Sequence, residues 1–217
     1  STSLPSSSSS LNSWLLEPGA RKAQAQTIAQ LHGQKNVRIM SRCMVFGWYD
    51  GMTFGALEQV SDHLAQPAAG QPRQRFWKIV ARQVVLATGA HERPLLFPDN
   101  DRPGIMLASA VSRYIRQYAV RPGQRAVIVS NNASSDSLVA DLDLAGVELA
   151  GVVDLRRGDE ILAVKGRSRV KGIRYRAGRD GRPQELPCDL VCVAGGWNPA
   201  VQLLAQRGQK PRWSDSL

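Results

Sequence analysis

Apolar and polar positions along this chain switch between a helical and a strand period, and the order of those periods predicts an α/β protein. Arg21 to His32 places apolar residues at Ala25, Ile28, Ala29 and Leu31, the spacing of a short helix, with Gly33 as a C-cap. Val37 to Phe46 reads as one or two strands, Gly47 to Gly51 as a turn, and Thr53 to Leu64 as a hairpin arm or a short helix. Gln66 to Gln74, rich in Pro, Ala, Gly and Gln, is a loop. Phe76 to Val80 and Gln83 to Ala87 are strands. The second is an apolar run (Val84, Val85, Leu86, Ala87) of the kind buried in a sheet core, broken by Thr88-Gly89.

A second pattern begins after the loop Phe97 to Pro103. Met106 to Tyr118 carries Leu107, Ala110, Val111, Tyr114 and Ile115 on one helical face. Arg125 to Val129 is the strongest strand of the chain, Ser137 to Ala145 a helix, and Val147 to Val153 a strand ending at Asp154. Together these form a βαβ unit. A hairpin of Ile161–Val164 and Val170–Tyr175 follows almost at once, earlier than a complete dinucleotide domain would place it. Cys188 to Ala194 is another buried strand, ending in Gly195-Gly196-Trp197-Asn198-Pro199, and Ala200 to Arg207 is a helix.

Two apolar strands therefore end in a glycine turn, at Thr88-Gly89 and at Gly195-Gly196, and ligands in open α/β sheets bind at strand carboxyl ends. Gly89 permits a positive φ and a close backbone approach, and Thr88 offers a hydroxyl. Asp154 lies 25 residues after Val129, near the roughly 20 at which an acid binds ribose hydroxyls in dinucleotide folds. Such an acid disfavours a ribose 2′-phosphate. The turn Ser130 to Asp136 contains no glycine, and Asn131 and Asn132 are the residues there that tolerate positive φ. A βαβ unit that binds nothing also fits this stretch.

Composition narrows the classes. Hydrophobic residues make up 43% of 217, enough for a real core, with no apolar run of transmembrane length. The Ser6–Ser10 run and its surroundings are a low-complexity leader, without the basic and apolar regions of a signal peptide. Cys43, Cys188 and Cys192 have neither disulfide nor zinc spacing and fit a reducing cytoplasm. The net charge of +10 is spread over many Arg pairs and a cluster at Lys165, Arg167, Arg169 and Lys171, on a solvated hairpin face. Without a nucleic-acid motif, this charge fits an acidic partner subunit or cofactor phosphates better than nucleic acid. No Ser/His/Asp or Cys/His set is present, and no catalytic residue is assigned. Glu92 and Arg93 read as a structural ion pair, and Trp48, Tyr49 and Trp197 as core or domain-interface aromatics.

Four segments jointly resemble one family: Val85 to Pro94, Asn100 to Ala108, Asn131-Asn132, and Gly195 to Val201. They are similar to the α subunit of heterotetrameric sarcosine oxidase and related opine oxidase, cyanide synthase and D-hydroxyproline dehydrogenase subunits. The resemblance covers residues from about 20 to 217. It implies a two-dinucleotide-binding-domain flavoprotein, pyridine nucleotide-disulfide oxidoreductase-like, built from Rossmann-type three-layer units that are incomplete in this chain. It further implies noncovalent FAD, bound NAD, and oxidation of a small-molecule amine at a flavin of a β subunit within a hetero-oligomer.

On that resemblance Val45 faces the FAD adenine, and Ala87, Thr88, Gly89 and Ala90 form a second FAD motif. Asn131 and Asn132 form the turn of an inserted NAD-binding domain, which Gly195 and Gly196 close against the nucleotide. The implied organisation is a leader over 1–19, part of an FAD domain over 20–103, and the inserted NAD-binding-like domain over 104–217. The family's first and last FAD motifs are expected upstream of residue 20 and beyond Leu217, so the chain reads as an internal portion, inactive by itself. The alternative from a different class is a non-catalytic basic module with a degenerate nucleotide fold, docking a partner subunit or nucleic acid.

Overall fold

A computed structural model describes the backbone of residues 18–212 and side chains from residue 22 to residue 212, so the serine-rich leader lies almost wholly outside the described residues. The chain forms two units, one containing His91–Asn198 and the other Ala23–Ala90 with the residues from Pro199. The division thus falls at 90/91 and 198/199, where the sequence suggested 103/104 for the first crossing and none for the second.

In chain order the elements begin with helix α1 (Pro18–His32), then strands β1 (Cys43–Tyr49), β2 (Thr53–Gln59) and β3 (Gln74–Val80). These strands make an antiparallel three-stranded meander, with Phe54 and Ala56 of β2 as its buried apolar side chains. The turn expected over Gly47–Gly51 is shorter than the sequence implied. β1 runs to Tyr49, Trp48 packs on Phe54 at 5.2 Å, and only Asp50–Met52 reverse the chain, with Gly51 and Met52 at positive φ.

Residues 83–87, expected as a buried strand, are not in a strand, and Val85 is 90% exposed. A parallel strand is buried only when neighbours flank it, and among the described residues no strand pairs with this segment.

The other unit holds β4 (Ala90–Glu92), β5 (Ile105–Leu107), helix α2 (Ala108–Tyr118), β6 (Arg125–Ser130), helix α3 (Asp136–Leu144) and β7 (Glu148–Asp154). It continues through β8 (Glu160–Lys165), β9 (Gly172–Arg176), β10 (Pro183–Pro187), β11 (Leu190–Ala194) and β12 (Trp197–Pro199), and the chain's last described helix is α4 (Gln202–Gln206). A four-stranded parallel sheet runs in the order β5-β11-β6-β7, an antiparallel sheet in the order β10-β9-β8, and β4 pairs with β12. The helix expected from Met106 starts at Ala108 because Ile105–Leu107 pair with Val191–Val193.

Side chains alternate across the parallel sheet, as the strand period requires. Ala126, Ile128, Leu190, Cys192 and Ala194 pack against Val111 and Ile115 of α2 and Leu138 and Leu142 of α3. Val127, Val129, Val153, Val191 and Val193 pack instead on Ile161, Val164, Val170 and Ile173 of the antiparallel hairpin region. The unit therefore has three layers: helices, parallel sheet, antiparallel sheet. The basic cluster is exposed, but it sits at the end of β8 (Lys165) and in the loop before β9 (Arg167, Arg169 and Lys171) rather than on a hairpin face. Cys188 and Cys192 serve as small core hydrophobes, and burial pushes the Cys188 thiol up to about 11.

Candidate functional site

Because β11, β6 and β7 are adjacent and parallel, their carboxyl ends bring together three segments far apart in sequence. Ala194 stands opposite Ser130, and Ser130 opposite Asp154. Gly195-Gly196, Asn131-Asn132 and Asp154 thus lie together at the carboxyl ends of these strands.

The turn after β6 is held by polar side chains. The Ala194 carbonyl accepts from the Asn131 N–H at 3.2 Å and from the Asn132 side-chain amide at 3.0 Å. The Ser130 hydroxyl donates to the Asn132 carbonyl at 2.6 Å and accepts from the Asn132 N–H at 3.1 Å. The Asn132 Oδ1 accepts from the Ser134 N–H at 2.8 Å and caps the 3₁₀ turn Ala133–Ser135 that leads into α3. Positive φ, expected from the two asparagines, is not used: Asn132 is extended at φ −154°, and Asn131 also lacks a positive φ. These side-chain bonds replace the left-handed residue that a glycine turn would supply.

Gly195 and Gly196 are strapped to Arg93. The Arg93 N–H donates to the Gly196 carbonyl at 2.8 Å, the Gly195 N–H to the Arg93 carbonyl at 3.1 Å, and Arg93 Nε to the Gly195 carbonyl at 3.0 Å. A Cβ on Gly195 would sit 2.3 Å from the Arg93 carbonyl oxygen, and Gly196 has φ +87°. Both glycines are explained by this close passage. The neighbouring Glu92 turns to helix α2, accepting from the Ser109 N–H at 2.9 Å. Burial raises its carboxyl above the usual range, against the opposing Ser109 hydrogen bonds.

Asp154 is nearly enclosed, its side chain 9% exposed. Its Oδ1 accepts from the Arg156 N–H at 3.0 Å and Nε at 2.9 Å, and its Oδ2 from an Arg156 guanidinium nitrogen at 2.7 Å. Arg157 Nε lies 3.5 Å from Oδ2. These contacts, led by the Arg156 hydrogen bond, hold the carboxyl below its ordinary value.

The remaining predicted residues lie in the other unit. Thr88 Oγ1 donates to the Ala200 carbonyl at 2.7 Å, and the Gly89 carbonyl accepts from the Ala200 N–H at 2.9 Å. Gly89 has φ +72° with nothing within 4 Å of an added Cβ. Ala87 and Ala90 are exposed beside it. Val45 lies on β1 opposite Ala56, 40% exposed, at a bulge between Val45 and Gly47. A groove of about 430 Å³ on the meander is lined by Tyr49, Asp50, Thr53, Phe54, Gly55, Phe76 and Lys78, and includes none of the predicted residues.

No family model matches the chain. The sarcosine oxidase α subunit of Rhizobium meliloti (strain 1021) is 38% identical over 202 residues, covering 87% of this chain and 20% of that protein. The α subunit from Corynebacterium sp. (strain P-1) is 38% identical over 218 residues, covering 88% of this chain and 22% of the relative. This chain is a homologue of the sarcosine oxidase α subunit. It spans about a fifth of the length of these curated relatives. The crystal structure of L-proline dehydrogenase from P. horikoshii matches with a TM-score of 0.68 at 21% identity, over 94% of this chain and 38% of that one. The two share an α/β fold built around a parallel sheet.

In this sarcosine oxidase α-subunit homologue, three side chains at the sheet edge were not anticipated as site residues: Arg93, Arg156 and Arg157. The last two carried a readable signal, a basic pair directly after a strand-ending acid. Arg93 carried none, because its glycine partners lie about a hundred residues away (a separation of 102 for Gly195).

Proposed function

We propose that the chain is the nucleotide-binding portion of a flavin-dependent oxidoreductase subunit of the sarcosine oxidase α type. The observation that carries this reading is 38% identity to that subunit over 87% of the chain. The reaction is oxidative demethylation or dehydrogenation of a small secondary amine, with electrons passing through flavin. The partners are a sarcosine oxidase-type β subunit and further subunits of a hetero-oligomer. The compartment is the cytoplasm; among the described residues no helix is long and apolar enough to cross a membrane.

On this reading Ala87, Thr88, Gly89 and Ala90, with Val45, contribute to an FAD site. The Thr88-Gly89 turn fits a bound group in one respect, since the space beside Gly89 is open. The Thr88 hydroxyl is already directed to Ala200, so Thr88 orients the turn while the backbone faces the cofactor. FAD supplies the two-electron oxidation chemistry when bound, and the protein supplies position and electrostatics. Asn131, Asn132, Gly195 and Gly196 shape the edge of the nicotinamide nucleotide site. Asp154 gives Oδ1 to Arg156 and keeps one acceptor site on Oδ2, through which it accepts a ribose hydroxyl of NAD.

The test is spectroscopic. The full-length protein purified with its partner subunits is expected to absorb between about 350 and 500 nm and to bleach on anaerobic addition of sarcosine. A preparation with neither band nor bleaching would remove the flavin reading. Salt-dependent binding to random DNA in the same preparation would favour the basic interaction module instead.

A further inference from the structure

In a glycine-rich dinucleotide turn, backbone N–H groups and the start of the following helix receive the pyrophosphate. The turn after β6 departs from that design. It contains no glycine, so side chains crowd the approach of its backbone to a phosphate. Its asparagine groups are committed within the turn. The Asn132 amide donates to Asn131 Oδ1 at 2.8 Å and to the Ala194 carbonyl at 3.0 Å, and Asn132 Oδ1 accepts from the Ser134 N–H at 2.8 Å. The first turn of α3 carries Asp136, whose charge opposes an anion at that helix start. A pyrophosphate at this edge therefore calls for a cation from another segment.

We propose that Arg93 is that cation, a binding residue for the phosphate groups of the nicotinamide dinucleotide that also holds the Gly195-Gly196 turn beside them. The inference rests on the reading above that the β6–α3–β7 unit binds a nicotinamide dinucleotide, and it adds a residue contributed from outside that unit.

The glycines place the guanidinium. A Cβ on Gly196 would lie 3.0 Å from a terminal guanidinium nitrogen of Arg93 and 3.7 Å from the Asn132 amide nitrogen. The charge is thus seated over Gly196, beside the turn that follows β6, where ligands of open α/β sheets lie. A side chain at 196 would take the space that the guanidinium fills. The Nε bond to the Gly195 carbonyl at 3.0 Å fixes the plane of the fork, so little side-chain freedom is left to lose when a phosphate binds. A planar guanidinium also matches phosphate oxygens in a way that a lysine ammonium does not. The acids nearest in sequence and along the edge have other partners. Glu92, expected to pair with Arg93, turns to the Ser109 N–H at 2.9 Å, and Asp154 is engaged by Arg156.

Calorimetric titration of the full-length protein with NAD and with adenosine, which lacks phosphates, tests this. Arg93→Gln removes the charge while both backbone bonds between Arg93 and the glycine turn remain available. It is expected to weaken NAD about tenfold, the scale of a charge-assisted contact, and to leave adenosine unchanged. Arg93→Lys restores the charge without the fork, and is expected to recover part of the NAD affinity. A merely structural Arg93 would weaken NAD and adenosine alike, and that result overturns the inference. Undiminished NAD binding by Arg93→Gln also overturns it, and the nucleotide reading then stands. If the native protein binds neither ligand, the nucleotide reading fails as well. The thermal unfolding transition shows whether each variant is folded. Should Arg93→Gln not fold, Arg93→Lys carries the same comparison: NAD weakened with adenosine spared supports the inference, and equal losses overturn it.

Discussion

Arg116 on α2 and Asp141 on α3 form an ion pair between the two helices, with the Asp141 side chain fully buried. It joins the layer that covers one face of the parallel sheet. Replacing one member of such a pair leaves the other charge in a site shaped for a partner. Asp141→Ala is therefore expected to destabilise the folded chain by about 3 to 5 kcal/mol, read as the shift in urea unfolding free energy. Arg116→Met combined with Asp141→Leu is expected to cost much less than the single change, because no buried charge then remains. A double variant as unstable as the single would show that the helices depend on the charges themselves.

Gly195 and Gly146 separate two uses of glycine. Gly146 has φ +66° and open space around it, so alanine there meets only the backbone preference. Gly146→Ala is expected to cost about 1 kcal/mol. An alanine at 195 must push its Cβ against the Arg93 carbonyl oxygen at 2.3 Å. That is backbone against backbone, so no side-chain rotation relieves it. Gly195→Ala is expected to cost more than about 2 kcal/mol and to disturb the Arg93 strap, visible as a loss of amide protection at Arg93 and Gly195. Equal costs at the two positions would mean that the chain crossing at Arg93 is more pliant than its three hydrogen bonds suggest.

The strands of the parallel sheet were legible where a β-branched run met turn residues on both sides, as in Ala126–Val129 between Gln124 and Asn131. The three-residue β5 was not, because Ile105–Leu107 continue without a break into the apolar face of α2. β10 was not anticipated; it begins and ends in proline, which an edge strand such as this one tolerates. Asn131-Asn132 and Gly195-Gly196 were readable as strand ends. Their mutual bonding through Ala194 was not, since it depends on which strands are neighbours. The pairing of Asp154 with Arg156 is local and lies within two residues, yet it was not anticipated because the acid was read only as a strand end.

Val85 shows where an apolar pattern overstated burial. It is 90% exposed, whereas Ile128 in β6 is 1% exposed. Ile128→Ala is expected to cost about 2 to 5 kcal/mol, from lost transfer energy and a residual cavity against α2 and α3. Val85→Thr is expected to stay within about 0.5 kcal/mol of the parent in the same chain. A large loss at Val85 would mean that residues 83–89 are covered in solution, and denaturation of this chain across several concentrations would then reveal whether a second copy covers them.

Glu92 and Asp154 give the chain two acid responses of opposite sign. The Glu92 carboxyl is raised above its ordinary 4.5, first by burial, with the Ser109 hydrogen bonds opposing. The folded chain therefore holds that proton to a higher pH than the unfolded chain. Glu92 costs nothing below its ordinary value, and stability is lost as pH climbs from there through the raised one. Glu92→Gln keeps an oxygen for the Ser109 N–H and removes the ionisation. Its thermal midpoint is expected to gain on the parent as pH rises through that interval. Asp154 is lowered below its ordinary 3.8, first by its hydrogen bond to Arg156. Its contribution is complete above the ordinary value and drains away as pH falls through the lowered one. Asp154→Asn is thus expected to be less stable than the parent near neutrality and to close that gap in strong acid. Midpoints measured from about pH 2 to about pH 7 distinguish the two, since one difference grows toward neutrality and the other vanishes toward acid. A Glu92→Gln difference that is flat with pH would show that the Ser109 hydrogen bonds fully offset the burial of the carboxylate.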